Sequence, residues 1–300
     1  MDKFTRRKIL IADGSLFLVA IIWGSGFIVN KNALDYMNPL YILVLRFSLD
    51  SVLLGIIFYK KLLKINTEEI QAGAIIGVFL FLGFFTQTVG LKYTTVSKSA
   101  FITASYVVLV PFIFWLISKK RVEIHEILAA LLCFIGIGIL SLEKDFSISL
   151  GDGLTFLCAI FFAVHIISVG IYSKKHDPIK LIIIQFAMAA ILSIIISFIF
   201  KVEFLPLTKE MGLSIGYLVI ANTIIAFGIQ NIAQKYTTST HTAIILSLES
   251  VFGSLFSVLL LDEKITLRLL LGSLIIFIAI ILAETNFSFL GKKLKAREEM

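Results

Sequence analysis

The chain has 300 residues, of which 58% are hydrophobic and 16% charged, and its formal net charge is +7. A mean hydropathy of +0.99 leaves too little polar surface for a water-soluble domain of this length. The basic excess lies at the ends of apolar runs, which fits membrane topology rather than nucleic-acid binding.

Apolar runs recur along the chain, each near the 17–25 residues that cross a bilayer as a helix. Ten spans are expected, at about 14–32, 40–59, 71–91, 97–117, 125–142, 153–172, 179–200, 211–233, 241–260 and 268–284. Arg6, Arg7 and Lys8 precede the first run. No small-residue cleavage site follows, so it reads as a retained helix and not a signal peptide. This first span carries Trp23, a candidate cavity wall, followed by Gly24, Ser25 and Gly26, which permit close packing or a local bend. The second span holds Arg46 and Asp50, spaced i,i+4 on one helix face. The third holds Gly73, Gly77 and Gln87, and the fourth Tyr106 and Trp115, the latter placed as an interfacial anchor. Cys133 in the fifth span and Cys158 in the sixth are too far apart to suggest a disulfide framework or a metal site. The sixth span also carries His165, the eighth Gly212, Gly216, Asn222 and Gln230, and the ninth Glu249.

With the N-terminus placed in the cytoplasm, eighteen Lys and Arg fall on the cytoplasmic side and eight on the outer side, with Arg46 inside a span. This asymmetry predicts a multi-pass protein of the cell membrane with both termini cytoplasmic.

The chain also repeats itself. Residues 91–102 read LKYTTVSKSAFI and residues 234–245 read QKYTTSTHTAII, an offset of 143 that also relates Gln87 to Gln230. Earlier in each half the offset is 139, relating Pro39 to Pro178, Phe47 to Phe186 and the pair Gly73/Gly77 to Gly212/Gly216. The change of offset predicts about one extra helical turn in the eighth span. Each repeat contains five spans, an odd number, so the halves must enter the membrane in opposite senses. That inverted-topology repeat is a recurrent build of secondary transporters. The two GxxxG pairs read as one helix contact used twice, with a homodimer contact as the competing reading.

WGSGF at 23–27, LRF at 45–47, the YTT segments at 91–95 and 234–238, LES at 248–250 and LDEK at 261–264 followed by Gly272 resemble the drug/metabolite transporter superfamily, in its ten-helix EamA-type branch. The likeness spans about 14–285 as two five-helix units. It divides the chain into EamA-type repeats at 1–146 and 147–290 and a basic tail at 291–300. Two positions depart from the family pattern: Ser250 stands where proline usually follows the glutamate, and Lys120 occupies the position matching Glu263. The resemblance implies export or exchange of small metabolites, often amino acids or related compounds, through a central cavity.

An ionisable group near the bilayer centre costs about 2.5–3.5 kcal/mol on insertion scales, so each needs a reason. Arg46 and Asp50 read first as an intrahelical ion pair. The sharper alternative has Arg46 attracting a substrate carboxylate. Glu249 has no basic residue one turn away, and it is a candidate for proton exchange or amine binding, or else for a hydrogen bond between helices. Its counterpart at offset 143 is Tyr106, so the halves place different polar groups at equivalent depth. His165 is a candidate proton relay or interhelical donor. Gln87, Gln230 and Asn222 are amides that can bind zwitterions or serve packing.

No GxxxxGK[ST] loop, zinc-protease HExxH or GxSxG motif is present; HEILA at 125–129 lacks the second histidine. The expectation is therefore an all-α membrane protein and a secondary transporter of a small, amino-acid-like metabolite. It would work outward by alternating access and would not be an enzyme. No cofactor or metal is expected. The expected partners are the lipid bilayer, a small-molecule substrate, protons as a coupling ion and a second copy of the chain, with no nucleic acid. An intramembrane enzyme and a channel or scramblase are the alternatives.

Overall fold

A computed structural model describes residues 3–118, 124–141 and 148–284. Lys119, Lys120 and Arg121, Lys144 and the basic tail lie outside the described residues, as do the side chains of His125 and Glu126 in HEILA. The described residues form ten helical rods. The first three span Lys3–Leu34, Pro39–Ile57 and Thr67–Lys92. The fourth joins Val96–Ala104 to Tyr106–Ser118, and the fifth is Ile124–Ser141. The sixth and seventh are Leu150–Tyr172 and Pro178–Ile199. The eighth runs through Lys209–Tyr217, Leu218–Ile225 and Ala226–Ala233, the ninth through Ser239–Ser247 and Glu249–Leu260, and the tenth is Leu267–Glu284. Eight rods are long and apolar enough to cross a membrane, and Ile127–Leu140 and Leu267–Leu282 are shorter apolar helices. The protein is thus an all-α membrane protein whose rods correspond to the ten expected spans.

Local sequence sets the helix starts, and it does so twice. Asn38 and Asp177 each cap a span that opens with proline, and each accepts a hydrogen bond of 2.9 Å, from the Leu40 and Ile179 backbone N–H groups. Burial raises the Asp177 carboxyl, but the hydrogen bonds from Lys61 and from Ile179 outweigh it and hold the group below the usual carboxylate range. Thr95 and Thr238 cap the fourth and ninth spans through the backbone N–H groups of Lys98 and His241. These pairs are related by the offsets 139 and 143 read from the sequence.

The halves interleave. The third span packs along the sixth and seventh, and the first along the eighth and ninth. The second lies against the seventh, the fourth against the ninth, and the fifth against the tenth. Each of these last three contacts joins a span to its own repeat counterpart, as spans beside an in-plane pseudo-two-fold axis do. Leu18, Leu49, Ile75, Leu131, Ile195, Leu259 and Leu274 are exposed on the outside, a surface suited to acyl chains and not to water.

The GxxxG pairs differ from the expectation. A Cβ at Gly73 would meet Ile184 at 2.5 Å, and one at Gly77 would meet the Gln185 carbonyl oxygen at 2.6 Å, so this pair is the contact surface for the seventh span. Gly212 and Gly216 have nothing within 4 Å of the equivalent position. The contact is used once. The eighth span faces its neighbours through Met211, Ile215 and Leu218, which turns the two glycines outward. Gly77→Leu should lower thermal stability in detergent by about 1–3 kcal/mol through overpacking against backbone. Gly212→Leu should leave the melting temperature unchanged.

Candidate functional site

Four departures from the α-helix lie inside the rods, and they place the polar residues. In the fourth span the hydrogen-bond ladder tightens at Ser105: Ser105 N–H donates to Ile102 O at 3.2 Å, and Val108 N–H to Ser105 O at 3.0 Å. In the ninth span Leu248 N–H donates to Ile245 O at 3.3 Å, and Val251 N–H to Leu248 O at 3.0 Å. The two breaks match residue for residue at offset 143. Tyr106 and Glu249 are the first residues beyond them. Third, Leu218–Ile225 in the eighth span is wound as a π-helix, which often marks a functional site. It falls between Gly216 and Gln230, where the repeat offset lengthens from 139 to 143. The inserted residues are therefore taken up partly by a wider turn rather than by one added α-turn. Fourth, Pro111 follows the Ser105 break within the same helix and removes one further ladder donor. The first span, by contrast, is continuous through Gly24, Ser25 and Gly26.

One central cavity is bordered by Trp23, Arg46, Gln87, Tyr106, His165, Asn222, Gln230 and Glu249, all eight of the side chains singled out from the sequence. Its remaining wall is mostly aromatic, with Phe84, Phe162 and Phe227. The volume open to water centres is about 40 Å³, room for roughly three or four waters. An amino-acid-sized molecule does not fit without the helices moving apart.

Asn222 is the hub of the site. Its side-chain amide donates to Ile22 O at 3.1 Å, its backbone carbonyl accepts from Trp23 Nε1 at 3.0 Å, and its Oδ1 accepts from Arg46 Nη2 at 2.6 Å. A Cβ at Gly26 would lie 1.9 Å from Asn222 Nδ2, so glycine is the residue that admits this amide. Ser25 hydrogen-bonds Tyr217 one turn earlier on the eighth span. The WGSGF segment is thus the dock for the eighth span.

Arg46 corrects the expected ion pair. Its Nε donates to Thr223 Oγ1 at 2.6 Å, and its guanidinium carbon sits 4.2 Å from the Phe84 ring centroid. It makes no salt bridge to Asp50, whose two carboxylate oxygens are buried without a hydrogen-bond partner among the described residues. The Thr223 hydroxyl, which takes the Arg46 Nε–H, lies 2.6 Å from Leu218 O and is the near polar neighbour of Asp50. A basic residue N-terminal to an acid is the weaker i,i+4 order, and two oriented acceptors and a π face lie across the helix interface instead. Nη1 of Arg46 has no partner among the described residues.

The other candidates separate by partner. His165 Nε2 bonds Gln185 Oε1 at 3.1 Å, with its ring edge-on to Phe227. Gln230 donates to Gln234 at 3.0 Å and leaves its own oxygen unpaired, while Gln87 makes only a 3.4 Å contact to Thr103. The Tyr106 hydroxyl is the near polar neighbour of the Glu249 carboxyl and the described group placed to donate to it, without a well-aligned hydrogen bond between them. Glu249 is 4% exposed and borders the cavity, with no cation paired to it among the described residues. Three residues missed in the sequence complete the site. Gln185 and Asn30 are amides inside apolar spans, a signal equal to that of Gln87, and Thr223 reads as an ordinary helical threonine.

The lining is paired across the halves. At offset 139 Trp23 corresponds to Phe162 and Gly26 to His165, while Arg46 corresponds to Gln185, which bonds His165 but does not itself line the cavity. At offset 143 Phe84 corresponds to Phe227, Gln87 to Gln230 and Tyr106 to Glu249.

Comparison with known proteins agrees with the duplication of the chain. The EamA-like transporter family matches at residues 10–142 and again at 149–285. The chain belongs to the EamA-like transporter family. An uncharacterized transporter of Archaeoglobus fulgidus (strain ATCC 49558 / DSM 4304 / JCM 9628 / NBRC 100126 / VC-16) is 38% identical over 275 residues, 92% of this chain and 86% of that protein. The uncharacterized transporter YvbV of Bacillus subtilis (strain 168) is 25% identical over 94% of this chain and 92% of its own length. A solved crystal structure superposes with a TM-score of 0.68 over 94% of this chain and 98% of that one, at 16% identity, which supports the fold alone. In this EamA-like transporter the cavity supplies one cation, one carboxyl and several amides within aromatic walls.

Asn222→Ala should lower stability by about 1.5–3 kcal/mol, the cost of removing a hydrogen bond to a charged group. Gly26→Ala should act through the same contacts. Thermal unfolding of the double variant should therefore show a loss well short of the sum of the two single losses.

Proposed function

We propose that this transporter is a secondary carrier that moves a small amphiphilic metabolite, amino-acid-like in its charges, outward across the cell membrane by alternating access. One observation carries the reading. Glu249, which no described cation pairs, and Arg46, whose Nη1 has no hydrogen bond to a described residue, border the same cavity. Arg46 would take the anionic group and Glu249 an amine or a proton. The aromatic walls would exclude water and cover the apolar part of the solute. The placement of Lys and Arg supports both termini being cytoplasmic. The small volume supports a closed state, in which the two halves must part to admit solute from one side at a time.

Counterflow of a pooled amino-acid and metabolite mixture in proteoliposomes tests this. Wild type should exchange one compound saturably. Arg46→Gln should raise half-saturation by about 10–100-fold, the equivalent of a lost charge-assisted hydrogen bond. Glu249→Gln should lose proton-driven uptake and keep exchange. Unchanged coupling in that variant would return Glu249 to a packing role. Product formation without a gradient would replace the carrier with an enzyme, and currents far above carrier rates would replace it with a channel.

A further inference from the structure

Two polar contacts outside the cavity obey the same repeat offsets. Lys98 Nζ lies 3.2 Å from Asp152 Oδ2, and His241 Nε2 lies 3.1 Å from Asp13 Oδ1. Asp13 and Asp152 are related by 139, and Lys98 and His241 by 143. Lys98 and His241 occupy the same place in their helices, three residues after the capping Thr95 and Thr238. Both acids also stand in matching DGxxF segments, at 13–17 and 152–156. The match therefore covers partner, helix register and local sequence.

The location gives the match a function. One contact joins the first span to the ninth, and the other joins the sixth to the fourth. Each bridges the two halves. The inverted repeat puts them at opposite ends of the molecule, and all four spans that they join also line the cavity. We infer that Lys98–Asp152 and Asp13–His241 are a matched pair of gates, whose alternate breaking opens the cavity to one side and then the other. The inference rests on the alternating-access reading above.

The two gates are unequally tied. The Asp152 side chain is 0% exposed and also accepts from the Thr94 hydroxyl, while Lys31 Nζ bonds the Leu91 and Thr94 carbonyls at 2.8 and 3.0 Å. Glu263, from the LDEK segment, accepts from the Ser97 backbone N–H at 3.2 Å beside it. At the other end His241 and Asp13 are 39% and 27% exposed. The Lys98 end is the firmer closure and the His241 end the weaker one. A buried pair that loses one partner costs more than an exposed pair does.

Sided thiol labelling tests the gates without a substrate. The protein carries Cys133→Ala and Cys158→Ala, with Ile166→Cys in the cavity wall as reporter. A membrane-impermeant maleimide is added to right-side-out or inverted vesicles, and a separate Tyr93→Cys marks the face on which Lys98 lies. The closed cavity is too small for the reagent, so the labelling rate reports opening. Asp152→Asn should raise the rate by about tenfold or more from the Lys98 face alone, since it breaks a buried pair. Asp13→Asn should raise it about two- to fivefold from the opposite face alone, the population shift that an exposed pair carries. The charge swaps K98D/D152K and D13H/H241D should restore the slow rate. His241→Lys, which copies the firmer gate, should slow labelling from the Asp13 face, and it keeps the test decisive if a neutralised variant fails to fold. A rise from both faces or from neither, or one that the swaps leave in place, would overturn the gates. Sided labelling in a protein that exchanges no compound would sink the transport reading and spare the gates. Saturable exchange with unsided labelling would do the reverse.

Discussion

Asn222 holds three spans at one point on the wall of the cavity. A buried amide in a membrane protein must satisfy its donors and acceptor from protein, since lipid offers nothing. The Asn222 side chain meets this demand through Ile22 and Arg46, and its backbone carbonyl takes the Trp23 indole, all on the first two spans. The π-wound stretch around it exposes the carbonyl that Trp23 uses. Gly26 leaves the space. With those contacts in place, Arg46 is drawn away from its own helix neighbour and laid over Phe84, with one nitrogen unbonded among the described residues. Asn222 thus links the packing of the first span to the charge inside the cavity.

The same logic explains why the helix breaks lie where they do. A tightened turn inside a span leaves backbone groups short of partners, which is tolerated only toward protein or a polar cavity. Ser105 and Leu248 break at equivalent points of spans that pack on each other across the pseudo-axis. The breaks bring Tyr106 and Glu249 to the cavity from two sides. Ser105 and Ser250 return their hydroxyls to carbonyls three residues earlier, at 2.6 and 2.8 Å, and satisfy part of what the breaks leave open.

Much of this was legible in the sequence for one physical reason. Polar groups are costly at membrane depth, so each one in an apolar run has to face protein or a cavity, and Arg46, His165, Asn222, Glu249 and the two repeated glutamines all do. What stayed hidden was partnership. Spacing placed Asp50 beside Arg46, yet spacing along one helix cannot show a better acceptor on another. Nor can it tell Gly73 and Gly77, pressed against the seventh span, from Gly212 and Gly216, which face outward. Phe84 and Phe227 read like any lipid-facing phenylalanine. Asp13 and His241 lie near span ends, where charges are common, and only the repeat offset distinguishes them from ordinary interfacial residues.

Duplication and divergence have separate effects in this molecule. The duplicated features are geometric: capped helix starts, breaks at Ser105 and Leu248, and paired contacts at the two ends. The divergent features are chemical. Arg46 faces Gln185 across the repeat, Glu249 faces Tyr106, and His165 takes the place of Gly26. Two identical halves would put like groups on both sides of the axis, and two buried like charges would repel at the depth where screening is weakest. Placing the cation in one half and the carboxyl in the other avoids that repulsion and gives the cavity a direction. A solute carrying both charges then has one favourable orientation within it, although the scaffold around it is nearly symmetric.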